Sequence, residues 1–241
     1  MRKTKIFCLP YAGGNKNIYN DFVNEFRSSF EIYPLEYSGH GTRSNSPLLT
    51  TYVQCVNDIC MQIRRFCTNN YIIIGHSLGA AVAIGVANKM ANYYHNKPKH
   101  LVLMAETPPC SEVSVNKYRN KNKDEVMEIV ASMGHIPHEI IEKPELYDLF
   151  SDIIYSDICI LNGYTSFSFV KLDVPITVFS GSEDDISDFE MKKWKQYTNG
   201  QFRLFNISGD HFFPFINKRD FFKVFREEVS EEFTSLCFEK L

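Results

Sequence analysis

Short apolar runs alternate with longer amphipathic stretches along this chain, and that alternation restricts its fold more than any other feature. The runs are Lys5–Leu9, Glu31–Leu35, Tyr71–Ile74, His100–Ala105, Ile176–Ser180 and Phe202–Ile207. Most are nearly continuous in apolar residues, as strands covered on both faces are. Between them a helical period takes over. Val53, Val56, Ile59 and Ile63 share one face of Thr51–Phe66, and helical patterns return in Ala80–Tyr93, around Phe189–Tyr197 and in Phe221–Phe233. Strand, helix and strand in succession predict βαβ units, and hence an α/β fold with a mostly parallel central sheet and helices on both faces. A chain of 241 residues with 44% hydrophobic and 14% aromatic content can bury a substantial core as one α/β domain.

One segment departs from the alternation. Between about residues 110 and 172 there is no clear strand, but helix-like stretches occupy Lys123–Met133, roughly His138–Ile141, and Glu145–Leu161. Ile140, Ile141, Tyr147, Phe150, Ile153, Ile154 and Tyr155 read as exposed apolar side chains there. An insertion after a mid-sheet strand is where such a sheet carries a lid over its site. A helical subdomain packed on the sheet is the alternative. Residues 1–241 are therefore read as one domain with a helical lid insertion at about 110–172.

Charge and cysteine content exclude several classes. With 26 basic and 29 acidic residues, the formal net charge is −3, which gives no general attraction to nucleic acid or to an anionic membrane. The seven cysteines include no CxxC pair, and several sit in apolar runs where a thiol acts as a small hydrophobe. Neither a disulfide framework nor a zinc site is expected, and a reducing compartment fits best. The apolar stretch Ile6–Leu9 behind Met1-Arg2-Lys3 is cut short by Pro10, too soon for a signal peptide. No stretch approaches a membrane span. A cytoplasmic protein, by default a monomer, is the expectation.

Chemistry enters with Gly75-His76-Ser77-Leu78-Gly79, which follows the run Tyr71–Ile74 and precedes the small-residue stretch Ala80-Ala81-Val82-Ala83. A serine nucleophile on a strained strand-to-helix turn needs small residues two positions away on each side, because a larger side chain would collide with the adjacent strand or helix. The helix that follows points its positive end at a developing oxyanion. This pattern predicts the nucleophile turn of an α/β-hydrolase fold, with Ser77 as the expected nucleophile.

A serine hydroxyl is barely acidic at neutral pH and needs an adjacent base. In this fold the order along the chain is serine, acid, histidine. Of seven histidines only His211 lies beyond the last strand run, in Ser208-Gly209-Asp210-His211-Phe212-Phe213, so it is the expected base. His76 falls inside the turn, His95 and His100 flank a helix-to-strand connection, and His135 and His138 lie in the insertion. For the acid, Asp184 stands three residues beyond Gly181 at the end of Ile176–Ser180 and is preferred. Asp185 is its nearest competitor, and Glu106, at the end of His100–Ala105, is a further alternative. A carboxylate in that role holds the imidazole in the productive tautomer and stabilises the imidazolium. Two backbone N–H groups should form the oxyanion hole: that of Leu78, and one from Pro10-Tyr11-Ala12-Gly13-Gly14, with Ala12 the expected donor.

Taken together, Pro10–Gly14, Gly39-His40-Gly41-Thr42-Arg43, Gly75–Gly79, Gly181–Asp184 with Trp194 ten residues on, and Gly209–Phe213 resemble, in order, the stand-alone type II thioesterases of nonribosomal peptide and polyketide synthesis. The resemblance runs from Ile6 to about Phe225, and Ser132-Met133-Gly134-His135-Ile136-Pro137 with Glu139 is similar to the family's lid. It implies hydrolysis of acyl groups from the phosphopantetheine arm of an acyl or peptidyl carrier protein, with no dissociable cofactor and no metal. It also places Ser77, Asp184 and His211 at the family's triad positions, favouring Asp184 over Glu106. Tyr155-Ser156-Asp157 departs from the family, which usually shows an arginine two residues before the aspartate.

An acidic carrier partner implies a local basic surface, and two clusters qualify: Lys117, Arg119, Lys121 and Lys123, and Lys192, Lys193 and Lys195 around Trp194. Two other readings use the same residues: a carboxylesterase or lipase acting on small oxygen esters, and a hydrolase-fold binding protein without turnover. An intact Ser77 and His211 argue against the second.

Overall fold

The computed structural model describes residues 3–66, 70–134, 136, 140 and 142–230. All six apolar runs are strands: β1 (Thr4–Leu9), β2 (Phe30–Pro34), β3 (Tyr71–His76), β4 (His100–Met104), β5 (Ile176–Gly181) and β6 (Phe202–Ile207). They form one sheet in the order β2-β1-β3-β4-β5-β6. Every neighbouring pair is parallel, so the sheet is wholly parallel among the described residues. Parallel neighbours require crossovers. These contain α1 (Asn20–Phe26), α2 (Tyr52–Ile63), α3 (Leu78–Asn92), α4 (Glu112–Lys117), α5 (Lys123–Ser132), α6 (Pro144–Tyr164) and α7 (Asp188–Lys192); α8 (Phe213–Ile216) and α9 (Lys218–Phe225) follow β6.

Alternate residues of a strand serve opposite faces of the sheet, and the core divides accordingly. Ile6, Cys8, Ile72, Ile74, Val102, Met104 and Phe179 cluster with Phe22 and Phe26 of α1 and Phe221 and Phe225 of α9. Phe7, Leu9, Tyr71, Ile73, Leu101 and Leu103 cluster with α2, α3 and α6 on the other face. Helix α3 is buried along Leu78–Asn88, which explains its small residues. A Cβ at Gly85 would stand 2.3 Å from the Tyr52 hydroxyl.

The strand order also locates the site. The chain leaves β1 outward to β2, returns past β1 to β3, and then proceeds to β4, β5 and β6. The connections after β1 and β3 therefore diverge, which opens a crevice at the carboxyl ends of these two adjacent strands. The loop beginning at Pro10 and the turn at Ser77 both emerge there.

Some expectations need adjustment. Strand β3 continues through Gly75 to His76, two residues beyond the apolar run. Helices α1 and α4 carried no recognisable pattern: α1 is seven residues long, and its buried face consists of Phe22 and Phe26. Between β4 and β5, helices α5 and α6 match the expected Lys123–Met133 and Glu145–Leu161, while residues 138, 139 and 141 of the stretch between them lie outside the described residues. Ile154, read as exposed, is 2% exposed. It packs beside Gly13, where an added Cβ would lie 2.5 Å from its Cδ1. Cys8, Cys55, Cys60, Cys110 and Cys159 are free thiols. No described helix is long and apolar enough to cross a membrane.

Candidate active site

Ser77 joins β3 directly to α3 with φ 53° and ψ −119°, a conformation that costs an L-residue about 1–3 kcal/mol. The surroundings hold it there. The Ser77 N–H donates to the Met104 carbonyl of β4 at 2.8 Å, and the Ser77 carbonyl accepts from the N–H groups of Ala80 and Ala81 at 2.8 and 3.2 Å. The two flanking glycines are sterically required. A Cβ on Gly75 would lie 2.1 Å from the Gly79 carbonyl oxygen, and one on Gly79 would lie 2.2 Å from that of Leu9. Both obstacles are backbone, so neither can swing aside. Gly75→Ala is expected to lower unfolding stability by at least about 2–3 kcal/mol. Chemical denaturation measures this, and an unchanged midpoint would contradict the packing described.

The structure brings His211 and Asp184 together. His211 Nδ1 lies 3.0 Å from Asp184 Oδ2, with side-chain exposures of 13% and 5%. Their loops are stitched side by side: Ser182 N–H donates to the Ile207 carbonyl and Glu183 N–H to that of Gly209, each at 2.8 Å. Gly181 permits this approach, since a Cβ there would meet the Asp210 and Gly209 carbonyl oxygens at 2.3 and 2.5 Å. Burial pushes the Asp184 carboxyl up, but the hydrogen bond and positive charge of His211, the backbone of Ile186 and the charge of Lys117 together hold it below the usual carboxylate value. Asp185 is exposed. Glu106 instead accepts the Thr107 N–H at 2.9 Å, while its carbonyl accepts the indole N–H of the buried Trp194 at 2.8 Å.

His76 is the less obvious member of this region. Burial first, and the neighbouring His211 second, push its pKa down to about 3, so its ring is neutral. Nε2 donates to the His211 carbonyl at 2.7 Å, which pins the backbone of the histidine loop to the end of β3. The sequence placed His76 inside the turn without showing this use.

The loop after β1 reaches the same cavity as Ser77 and His211. Within it the Gly13 N–H donates to Asp157 Oδ2 of α6 at 2.7 Å, and the Gly14 N–H donates to the Tyr11 carbonyl at 2.9 Å. Both amides are thus engaged within the protein. Ala12 borders the cavity together with Ser77 and His211. Asp157 Oδ2 also receives His40 Nε2 at 2.9 Å, and His40 Nδ1 lies 3.1 Å from the Ser38 carbonyl. Gly39–Arg43 and the stretch around Asp157 were visible in the sequence as motifs, but their contact with the Pro10–Gly14 loop was not.

A cavity of about 410 Å³ opens beside Ser77. Its apolar wall comes largely from the insertion: Val113 of α4, Val130 of α5, and Ile154, Ile158 and Leu161 of α6. A serine and a carboxylate-paired histidine that border one apolar cavity are suited to acyl transfer. Among the described residues, no group of three His, Cys, Asp or Glu side chains could hold a metal ion.

The family model for the thioesterase domain matches residues 4–227, and the chain belongs to that family. Among its curated relatives is the gramicidin S biosynthesis protein GrsT of Aneurinibacillus migulanus, 22% identical over 90% of this chain and 85% of that protein. The medium-chain S-acyl fatty acid synthase thioesterase of Homo sapiens is 26% identical, over 87% and 80%. Among solved structures, ClbQ from the colibactin NRPS/PKS pathway superposes with a TM-score of 0.83 at 27% identity, covering 98% of this chain and 99% of its own. The type II thioesterase BorB from the borrelidin biosynthetic cluster gives 0.81 at 21% identity, over 93% and 92%.

Proposed function

We propose that this protein hydrolyses acyl thioesters carried on the phosphopantetheine arm of an acyl or peptidyl carrier protein, clearing or releasing intermediates in nonribosomal peptide or polyketide synthesis. The observation that carries this reading is the Asp184-paired His211 bordering the same apolar cavity as Ser77, in a chain of the thioesterase family several of whose relatives come from such pathways.

Each residue then has a role. His211 Nδ1–H donates to Asp184, which leaves the Nε2 lone pair free to take the Ser77 proton. Ser77 Oγ attacks the thioester carbonyl, and the oxyanion forms against the N–H groups of Ala12 and Leu78. Engagement of the Gly13 and Gly14 amides elsewhere supports Ala12 as the loop's donor. The C–S bond breaks, the thiol leaves with the proton from His211, and an acyl-serine remains. A water deprotonated by His211 attacks that ester, and the free acid departs as Ser77 recovers its proton. Acyl transfer of this kind changes no oxidation state and needs no cofactor. The insertion that walls the cavity acts as the lid.

The carrier contributes binding energy that a small ester lacks. Lys121 and Lys123 pair with Glu125 and Asp152, and Lys193 with Glu190. Lys117, which borders the cavity, together with Arg119, Lys192 and Lys195, forms the surface that would meet an acidic partner. Acyl groups on a carrier are expected to be released with a kcat/KM at least about tenfold above that for acyl-pantetheine, since a single additional contact of about 1.4 kcal/mol suffices. Rates on carrier, pantetheine and p-nitrophenyl substrates measure this. Turnover of the nitrophenyl ester alone would replace this reading with a generic esterase.

A further inference from the structure

Asp157 lies at the centre of a buried arrangement that the mechanism above does not use. It is 0% exposed and His40 is 3% exposed, so both groups sit where an uncompensated charge is strongly disfavoured. The partners define the protonation state. Both ring nitrogens of His40 face acceptors, the Asp157 carboxylate at 2.9 Å and the Ser38 carbonyl at 3.1 Å. Only an imidazolium, with two N–H donors, satisfies both. Burial lowers the His40 pKa, but the hydrogen bond and charge of Asp157, the Ser38 carbonyl and the charge of Glu36 outweigh it and raise the pKa above the ordinary histidine value.

The carboxylate oxygen that receives His40 also receives the Gly13 N–H at 2.7 Å. Gly13 follows Ala12: the clasped Gly13 N–H belongs to the Ala12–Gly13 peptide plane and the Ala12 N–H to the plane before it, so the two are coupled through the Ala12 backbone dihedrals. The same helix touches this point twice. Ile154 stands against Gly13 with no room for a Cβ, and Asp157, three residues on, lies on the same helical face. The orientation of the Ala12–Gly13 backbone (φ +76° at Gly13) is therefore set by α6 and by the charge that His40 provides to it, across 144 residues of sequence.

We propose that Asp157 and His40 are positioning residues for the oxyanion hole: a buried ionic clasp that fixes the Ala12–Gly13 backbone in the orientation that stabilises the transition state and makes that orientation depend on the seating of α6. The proposal rests on the hydrolase reading of Ser77 and Ala12, though not on a carrier-bound substrate. Neither residue touches the acyl group. Their effect falls on the developing oxyanion, where loss of one donor reduces kcat by about 10²–10³-fold, and a displaced donor by less.

The test compares two ligands of the full-length protein. An alkyl trifluoromethyl ketone accepts Ser77 Oγ at its carbonyl carbon; the carbonyl π electrons become an alkoxide in the oxyanion hole, and the serine proton passes to His211. The matching N-methyl amide binds the cavity without forming a bond. In Asp157→Asn the ketone is expected to weaken roughly 10–100-fold while the amide changes less than threefold, and p-nitrophenyl ester hydrolysis should lose kcat with little change in KM. His40→Leu should follow it. His40→Gln, whose amide N–H still donates to Asp157, should retain most of the wild-type ratio of the two affinities. Equal loss of both ligands, or an unchanged ratio in a folded Asp157→Asn or His40→Leu protein, overturns the clasp. Should Asp157→Asn fail to fold, the His40 pair decides, and equal ratios in Gln and Leu overturn it. Failure of the ketone to inhibit wild type removes the hydrolase reading along with the clasp; failure on carrier substrates alone leaves the clasp standing.

Discussion

Ser77→Ala is expected to reduce acyl release by roughly 10⁶-fold in kcat while leaving the fold intact. On the proposed mechanism, no acyl-enzyme forms without Oγ, and His211 and Asp184 lose the group on which they would act. What remains is the contribution of the oxyanion donors and of binding, which typically leaves about 10³–10⁴-fold over water. The fold survives because Ser77 is held through its backbone, by the Met104 carbonyl and the Ala80 and Ala81 amides, and alanine keeps all three contacts. Alanine also carries the same penalty at φ 53°, so its melting temperature should stay within a few degrees of wild type. Ser77→Gly abolishes turnover equally but relaxes the turn and is expected to gain about 1 kcal/mol. Single-turnover release from an acyl carrier and a thermal melt measure the two effects. Residual activity above one part in a hundred in Ser77→Ala would place the nucleophile elsewhere.

The second large effect is expected from Asp184→Asn, at about 10³–10⁴-fold in kcat. The carboxylate accepts from Nδ1 of His211 at 3.0 Å and so leaves Nε2 unprotonated. An asparagine amide can donate to Nδ1 instead, which favours the tautomer with its proton on Nε2 and removes the base from Ser77. The substituted enzyme should therefore bind substrate with a KM close to wild type and fail in the acylation step. Acidity provides an independent check. The folded pKa of Asp184 is lowered, so its contribution to stability is complete above the unfolded carboxylate value of about 4 and is lost as pH falls through the lower folded value. Melts from pH 7 down to pH 2 should show a smaller loss of stability in Asp184→Asn than in wild type. Identical acid profiles would mean that the pair does not stabilise the fold. Wild-type kcat in the variant would transfer the acid role to Asp185 or Glu106.

The parts of this molecule legible in its sequence share a physical origin. Strands buried on both faces must be apolar throughout, and β1, β3, β4 and β5 were visible for that reason. The edge strands β2 and β6 are only partly buried and were visible from the apolar residues around Glu31, Arg203 and Asn206. The turn at Ser77 has backbone approaching backbone on both sides, so it demands glycine at two fixed positions and leaves a local signature. Asp184 and His211 stand where the fold's strand ends converge, so topology narrows the choice to a few carboxylates and one histidine. Other features have no local cause. Helix α1 buries two phenylalanines four residues apart, too short a pattern to register. The depth of Ile154 depends on Gly13, and the role of Asp157 depends on both Gly13 and His40, contacts that exist only once the chain has closed. An aspartate in the middle of an amphipathic stretch reads as a polar position; its burial becomes visible only with the partners in place.

The strand order also bears on how the protein is made. Strand β4 waits for β5, since Leu101 pairs with Ile176 and the whole helical insertion lies between them. At roughly 5–20 residues per second, the ribosome needs several seconds to supply the missing neighbour. During that interval β2, β1, β3 and β4 are available for pairing, but the outer edge of β4 has no partner, and an unpaired apolar edge invites association with other chains. The loops bearing Asp184 and His211 follow later still. The expected consequence is a nascent chain that depends on chaperones mid-synthesis, and an enzyme that acquires its activity only when the last third of its sequence has joined the sheet.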